Sequence, residues 1–248
     1  MTLPLSSDGG AMKVVVIFSG GMDSACALAQ CCGQFGPQNI LAISFDYSSK
    51  HNDAEYQCAS KMCKALGVEH HRIDIKGISS FLSSNLLKSG GEIPEGHYAE
   101  KTMMKTVVPF RNGIMLAIAC GIAESRNAKM VVIGNHAGDH AIYPDCRGTF
   151  ISAMNEAMAY GTYSNVNIHS PFCSCTKADI VKIGDAMGVP WHLTYSCYKG
   201  GEVHCGRCST CFERREAFYL AEVNDPTEYE DKTPIKQLMK EYEGRVSE

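Results

Sequence analysis

The chain has 248 residues, 13 of them cysteine, with 45% apolar residues and a formal net charge of −4. A chain of this size can bury one sizeable core, which predicts one domain with at most a small appendage and excludes collagen, low-complexity disorder and a disulfide-stapled miniprotein. Because 23 basic residues stand against 27 acidic ones, the sequence as a whole has no attraction to nucleic acid or an anionic membrane.

The cysteine count suggests secretion, but the number is odd and an export signal is missing from the sequence. Residues 1–12, MTLPLSSDGGAM, lack the basic start and apolar stretch of a signal peptide, and we interpret them as an N-terminal extension. The longest apolar runs are also too short to cross a bilayer. We therefore expect a cytoplasmic protein, in which clustered cysteines bind metal or do chemistry more often than they cross-link.

Short apolar runs alternate with helical patterns along the chain. Strands are predicted at 13–18, 40–45, 71–75, 130–134 and 166–169, and helices after residue 24 and at 54–66, 112–125, 149–160 and 176–187. This alternation predicts an α/β fold, a Rossmann-like doubly wound parallel sheet with helices on both faces, over residues 13–190. Ligands bind such sheets at the carboxyl ends of the strands.

Residues 76–108 interrupt the alternation. The stretch contains KSGGEIPEGHY, in which glycine and proline break any regular pattern. It is either a lid over the site or an ordinary surface excursion, and the sequence does not distinguish the two.

A glycine loop follows the first strand directly and leads into a helix. Its sequence is Ser19-Gly20-Gly21-Met22-Asp23-Ser24. A strand–loop–helix unit of this kind aims backbone N–H groups and the positive helix end at an anion. The Asp23 carboxylate would repel a phosphate unless it holds Mg²⁺ or positions its neighbours. The chain has neither GxGxxG nor a Walker lysine here, which excludes a dinucleotide-binding fold and a Walker-type ATPase.

Four cysteines cluster near the end of the chain, with spacings of seven, two and two residues: Cys197, Cys205, Cys208 and Cys211. Four thiols in one turn-rich segment are typical of a closed, tetrahedral Cys₄ zinc site. Such a site leaves no open position for a catalytic water, so we expect a structural Zn²⁺ that pins residues 191–248 to the preceding domain. A redox CxxC pair is the alternative, and an iron–sulfur cluster is a weaker one.

The loop sequence SGGxDS resembles the signature of the PP-loop ATP pyrophosphatase superfamily. Further stretches make the resemblance more specific: Phe45-Asp46-Tyr47, Val108-Pro109-Phe110-Arg111-Asn112, Tyr143-Pro144-Asp145-Cys146-Arg147 and Thr194-Tyr195-Ser196-Cys197-Tyr198. Together with the four-cysteine tail, they resemble the QueC family from about Lys13 to Tyr219.

The resemblance implies a ligase that makes 7-cyano-7-deazaguanine from 7-carboxy-7-deazaguanine, ammonia and ATP, in the formation of queuosine-type bases. The substrate carboxylate is adenylated, ammonia displaces AMP to give an amide, and a second adenylation on the amide oxygen leads to the nitrile. Mg²⁺ would neutralise phosphate charge in both activations. A homodimer is implied as well.

The resemblance also implies roles for individual residues. The ATP site would contain Phe18, Ser19, Gly20, Gly21, Met22, Asp23, Ser24, Asp46, Tyr47 and Gly134. The deazapurine site would contain Phe110, Arg111, Asn112, Asp139, Tyr143, Asp145 and Arg147. Catalytic roles would fall to Asp23, Ser24, Arg111, Asp145 and Lys177.

The chain departs from the family pattern after Phe45-Asp46-Tyr47. Family members often carry Gly-Gln there, whereas this chain has Ser48-Ser49 before Lys50-His51. A QueC-like enzyme that couples the adenylated carboxylate to another amine, such as a protein N-terminus, is therefore the alternative function. A zinc-ribbon module that binds nucleic acid is opposed by the acidic balance, since Arg207, Arg214 and Arg215 are offset by neighbouring glutamates.

Overall fold

We describe the protein from a computed structural model that covers residues 13–246; the N-terminal extension predicted at 1–12 lies outside the described residues. The strands are β1 (Lys13–Ile17), β2 (Ile40–Asp46), β3 (Glu69–Asp74), β4 (Ala128–Val132) and β5 (Asn167–His169). The helices are α1 (Met22–Phe35), α2 (Asn52–Leu66), α3 (Lys76–Ser79), α4 (Arg111–Ser125), α5 (Gly148–Tyr160), α6 (Lys177–Ala186), α7 (Ser209–Ala221) and α8 (Ile235–Val246).

The strands form one parallel sheet in the order β3-β2-β1-β4-β5. The chain starts in the middle of the sheet, builds outwards through β2 and β3, and then returns to the other side of β1. The order therefore reverses between β2 and β4, next to β1, which is where ligands bind in doubly wound sheets.

Alternate residues of β1 face two different cores, as expected for a buried strand. Val15 and Ile17 pack with α4 and α5, whereas Val14 and Val16 pack with α1, α2, α6 and α7. Helices thus cover both faces of the sheet. The predicted α/β, doubly wound fold is confirmed, with strand and helix ends shifted by one or two residues.

The region after residue 190 shares these cores. Trp191 and Phe218 pack edge to face within the core that contains α1 and α6, and the sulfurs of Cys197 and Cys208 lie in the core that contains α4. A third, smaller cluster joins α8 to α7 through Phe212, Leu238 and Tyr242. The domain boundary at 190 stays a prediction, but the two sides of it pack together closely.

The excursion at 76–108 is held to the body of the protein at several points. Leu86, Leu87 and Met103 are buried, and the Lys50 ammonium donates to the carbonyl oxygen of Asn85 at 3.0 Å. Glu95 forms a backbone bridge with Cys208. Of the two alternatives, these contacts favour a packed surface excursion over a lid.

Candidate active site

One cavity of about 200 Å³ opens at the carboxyl ends of β1, β2 and β4. Because the carboxyl ends of parallel strands meet at one edge of the sheet, segments distant in sequence converge there. The cavity is lined by thirteen of the predicted site residues: Phe18, Ser19, Gly21, Met22, Asp23, Ser24, Tyr47, Arg111, Asn112, Gly134, Asp139, Tyr143 and Lys177. Their roles stay predictions, but their proximity is a property of the fold.

The loop from Ser19 to Ser24 is organised by its own hydroxyl groups. The Ser19 Oγ accepts from the Gly21 N–H at 3.1 Å and lies 3.1 Å from the Ser24 Oγ, which donates to the Gly21 carbonyl at 3.1 Å. Helix α1 begins at Met22 with Gly21 as its N-cap, and no side chain of the described residues caps it. Its first N–H groups are therefore available for an anion.

Two glycines let neighbouring elements approach this loop closely. Gly20 has φ +93°, and a Cβ there would collide with the carbonyl oxygen of Glu55 on α2. A Cβ on Gly134, after β4, would lie 2.8 Å from the Ser24 nitrogen. The Gly20 carbonyl accepts from the Tyr195 N–H at 2.9 Å, so the segment that precedes the cysteine cluster also holds the loop in place.

An ion-pair group occupies the side of the cavity next to α1; we call it the Lys177 cluster, comprising Asp23, His136, Asp139, Lys177 and Glu213. The Lys177 Nζ lies 2.6 Å from Asp23 Oδ2, 3.4 Å from Glu213 Oε2 and 3.2 Å from His136 Nε2. Burial would lower the pKa of Lys177, but the attraction of the surrounding carboxylates raises it above its ordinary value. Lys177 is therefore a fixed cation.

The other end of the cavity has a different composition. Four residues there, which we call the Glu55 chain, contact one another in the order Arg111, Tyr47, His51 and Glu55. Arg111 Nη1 donates to the Tyr47 hydroxyl at 3.1 Å, and that hydroxyl lies 3.4 Å from His51 Nε2. The same nitrogen lies 3.7 Å from Glu55 Oε2. Burial lowers the pKa of His51 to about 3, so the ring is neutral at pH 7. Burial raises the pKa of Glu55 to about 8, against the attraction of Arg111.

Five predicted site residues fall outside the cavity lining: Gly20, Asp46, Phe110, Asp145 and Arg147. Asp46 accepts from the Arg72 guanidinium at 2.6 Å, and Arg72 lines the cavity in its place. Asp145 accepts from the Asn112 N–H at 2.8 Å and so holds the start of α4. Both carboxylates act on residues that line the cavity.

The two other side chains turn away from the cavity. Phe110 is exposed, with its ring packed over Gly113 and edge to face with Phe150. The Arg147 guanidinium is also exposed and donates to the carbonyl of His140 at 3.0 Å. The geometry therefore does not bring either side chain into the cavity, and their place in the deazapurine site stays a prediction.

Several cavity residues were not predicted from the sequence: His51, Glu55, Tyr195, Tyr198 and Glu213. Glu55 and Glu213 lie in helices and have no motif of their own. Tyr195 and Tyr198 belong to the matched stretch 194–198, which contains Cys197. Their place in this stretch is the sequence feature that could have predicted them as site residues. His136 caps the turn that follows it: its Nδ1 accepts from the Gly138 N–H at 3.1 Å.

The four C-terminal cysteines meet beside this cavity. The sulfurs of Cys197, Cys205, Cys208 and Cys211 all lie within 4.8 Å of one another, an arrangement that could hold a metal ion. Two backbone N–H groups point at sulfurs, from Cys205 to Cys197 Sγ at 3.4 Å and from Cys208 to Cys205 Sγ at 3.3 Å. Such donors favour thiolates, and a tetrahedral site with Zn–S bonds of about 2.3 Å would separate its sulfurs by roughly 3.8 Å, close to the 3.9 Å between Cys205 and Cys211.

Most of the remaining cysteines are buried or lie on helices, among them Cys26, Cys31 and Cys63. Burial raises the pKa of Cys31 and Cys63 to about 12, which makes them poor nucleophiles. Cys146 lines the cavity, and burial raises its pKa as well. Within residues 13–246, no helix has the length and apolar character needed to cross a membrane.

Comparison with known proteins identifies the family of this chain. The family model described as "Queuosine biosynthesis protein QueC" matches residues 13–222. The chain belongs to the QueC family. The resemblance predicted from the motifs is therefore confirmed over most of the sequence.

Two relatives of known name agree with the family assignment, and one solved structure has a similar course of the chain. The chain is 51% identical over 216 residues to the 7-cyano-7-deazaguanine synthase of Porphyromonas gingivalis, which covers 87% of this chain and 96% of that protein. It is 48% identical over 235 residues to the synthase of the same name from Rhizobium etli, with 93% and 98% covered. The solved structure of the NMN synthetase from Francisella tularensis has a TM-score of 0.48 and 15% identity, covering 95% of this chain and 85% of that one.

Proposed function

We propose that this family member is an ATP-dependent ligase that converts 7-carboxy-7-deazaguanine and ammonia into 7-cyano-7-deazaguanine. The observation that carries the proposal is that a phosphate loop and a buried arginine line one cavity, so that a nucleotide and a carboxylate can meet there. The relatives named 7-cyano-7-deazaguanine synthase support the same reaction.

ATP binds at the loop from Ser19 to Ser24. The N–H groups at the start of α1 and the hydroxyls of Ser19 and Ser24 contact its phosphates, and Lys177 supplies a positive charge beside them. Because Lys177 is already held by Asp23 and Glu213, its position is set before the nucleotide arrives. The chain thus provides a preorganised site for the pyrophosphate that leaves.

Asp23 is suited to hold Mg²⁺ as well. Its Oδ2 pairs with Lys177, while its buried Oδ1 has no hydrogen-bond partner among the described residues. A carboxylate oxygen without a partner is a ligand that Mg²⁺ prefers, and the ion would neutralise phosphate charge when bound. The predicted ATP and Mg²⁺ therefore both fit this side of the cavity.

The deazapurine carboxylate binds at Arg111. The guanidinium is buried near the Tyr47 ring, and neighbouring acidic groups, Asp145 among them, raise its pKa against the effect of burial, so it stays charged. A buried fork of N–H donors binds a carboxylate in a defined orientation. Tyr143 lines the same cavity and would stack on the deazapurine ring.

Zn²⁺ is the proposed metal of the cysteine cluster. Four thiolate ligands with backbone N–H donors suit a closed tetrahedral site, which contributes folding energy and no open coordination position. Tyr198 directly follows the first cysteine of the cluster and Glu213 lies two residues after the last, so a bound zinc would fix two walls of the cavity at once.

The test is a product assay. Purified protein is incubated with ATP, Mg²⁺, ammonium and 7-carboxy-7-deazaguanine, and we expect AMP, pyrophosphate and the nitrile by mass spectrometry. Absence of both AMP and nitrile overturns the proposal. If AMP forms and the deazaguanine appears as an added mass on a protein chain without ammonium, the amine-coupling alternative is correct instead. A homodimer in the cytoplasm belongs to the same proposal, and light scattering measures its mass.

A further inference from the structure

Glu55 is a carboxyl group in the cavity that has no role in the binding of ATP, Mg²⁺ or the deazapurine carboxylate. It lies on α2, which packs so closely on the phosphate loop that only glycine fits at position 20. The side chain is 16% exposed and lines the cavity. Glu55 therefore shares one cavity with the phosphate loop and Arg111, where the nucleotide and the substrate carboxyl group meet in the proposed function.

The contacts of Glu55 differ from those of the other carboxylates in the cavity. Asp23 and Glu213 pair with the Lys177 ammonium, and Asp139 accepts from the His136 N–H at 3.3 Å. Among the residues that the structure describes, the Glu55 carboxyl group makes no ion pair with a lysine or arginine. Its Oε2 lies 3.7 Å from Nε2 of His51, whose ring is neutral at pH 7. A proton taken up by Glu55 would break no strong ion pair.

The reaction requires a group that accepts protons from nitrogen. When ammonia attacks the adenylated carboxyl carbon, a C–N bond forms, the C–O bond to AMP breaks, and the new amide is left with one surplus proton. When the amide oxygen attacks ATP, pyrophosphate leaves and the nitrogen loses a proton. When AMP then leaves, the nitrogen loses its last proton and the C≡N bond forms. Each nitrogen step therefore releases one proton, and no oxidant or reductant takes part.

We infer that Glu55 is the base that accepts these protons, an inference that rests on the proposed function. The Glu55 chain connects it to Arg111 through His51 and Tyr47, so the base and the group that holds the substrate carboxylate share one polar wall. The initial adenylation of the carboxylate releases no proton from nitrogen and does not need Glu55. Glu55 thus acts in the steps that release a proton from nitrogen and not in the first adenylation.

The ionisation of Glu55 suits this role. Burial raises its pKa to about 8, and a base is most effective when its pKa lies near the working pH. The titratable and charged groups that face Glu55 are Arg111, Tyr47, His51 and Cys58, and Tyr198 packs against the His51 ring. Burial raises the pKa of both tyrosines and of Cys58 and lowers that of His51, while Arg111 stays charged, so Glu55 is the group of this set that titrates near pH 8.

The test compares Glu55→Gln with wild type in three assays: carboxylate-dependent exchange of pyrophosphate with ATP, amide formation from carboxylate and ammonium, and nitrile formation from the amide. We expect exchange to stay within about twofold while amide and nitrile formation both fall roughly 10²- to 10³-fold. Glu55→Asp should recover part of both. Glu156→Gln, an exposed change on α5, is the matched control and should behave as wild type.

A second readout uses pH. Nitrile formation from the amide needs no free ammonia, so its rate should rise through about pH 8 in wild type and lose that limb in Glu55→Gln. Equal loss of exchange would make Glu55 a structural or binding group and overturn the inference. Loss of amide formation alone would also overturn it, because Glu55 would then capture ammonium rather than accept protons. If wild type itself makes no nitrile, the proposed function fails instead.

Discussion

The two ends of the cavity use charge in opposite ways. In the Lys177 cluster, a cation and its carboxylates are already paired at 2.6 and 3.4 Å. In the Glu55 chain, burial keeps His51 neutral and raises the pKa of Glu55 to about 8. Fixed charges stabilise a polyanion without rearrangement, whereas groups poised near neutrality exchange protons. In the proposed function, this difference suits one end to phosphate chemistry and the other to nitrogen chemistry.

The largest expected effect comes from the Lys177 cluster. The Asp23 carboxylate holds Lys177 and, in the proposed function, would bind Mg²⁺. Asp23→Asn removes this carboxylate, and we expect pyrophosphate exchange to fall by about 10³-fold. Circular dichroism should show an unchanged fold. Asp185→Asn, an exposed change on α6, is the control. A fully active Asp23→Asn enzyme would mean that the loop is not the phosphate site.

The next effect involves both ends together. Tyr198 follows Cys197 and Glu213 follows Cys211, so Cys208→Ser should disturb both ends by releasing the metal. We expect loss of zinc by elemental analysis, about 3 kcal/mol of lost stability and a melting temperature lower by roughly 10 °C. Exchange and nitrile formation should fall in parallel.

The control for the cluster is Cys31→Ser, the same chemical change at a buried helical cysteine. It should keep its metal and lose less stability. If Cys208→Ser retains a full equivalent of zinc and the wild-type melting temperature, the cluster does not hold a structural metal.

The smallest effect concerns the stability of the Glu55 chain in acid. The pKa of His51 falls from 6.5 in the unfolded chain to about 3 in the folded one, so acid favours the unfolded state, which binds the proton more tightly. Between pH 7 and pH 5, wild type should lose about 2 kcal/mol more of its unfolding free energy than His51→Gln. Urea titrations at both pH values measure this. An identical pH dependence for the two proteins would show that His51 titrates normally.

The sequence predicted what is contiguous and missed what the fold assembles. The loop from Ser19 to Ser24 and the four cysteines are local patterns whose chemistry follows from residue type and spacing. Glu55 and Glu213 are ordinary helical glutamates until parallel strands bring α2 and α7 to the same edge of the sheet. Phe110 shows a different limit of sequence analysis. It belongs to a matched stretch, but the sequence does not tell in which direction its side chain points, and the exposed ring packs against Phe150.

The hydrogen bond from the Tyr195 N–H to the Gly20 carbonyl has a consequence for how the protein is made. A ribosome that has synthesised the chain as far as residue 190 has produced all five strands of the described sheet and the whole phosphate loop. It has not yet produced the segment that fastens Gly20, nor the cysteines that anchor that segment. Because such distant contacts form late, the nucleotide site is completed after translation has passed the cysteine cluster. With zinc as the proposed metal of the cluster, its supply would then limit the yield of competent enzyme.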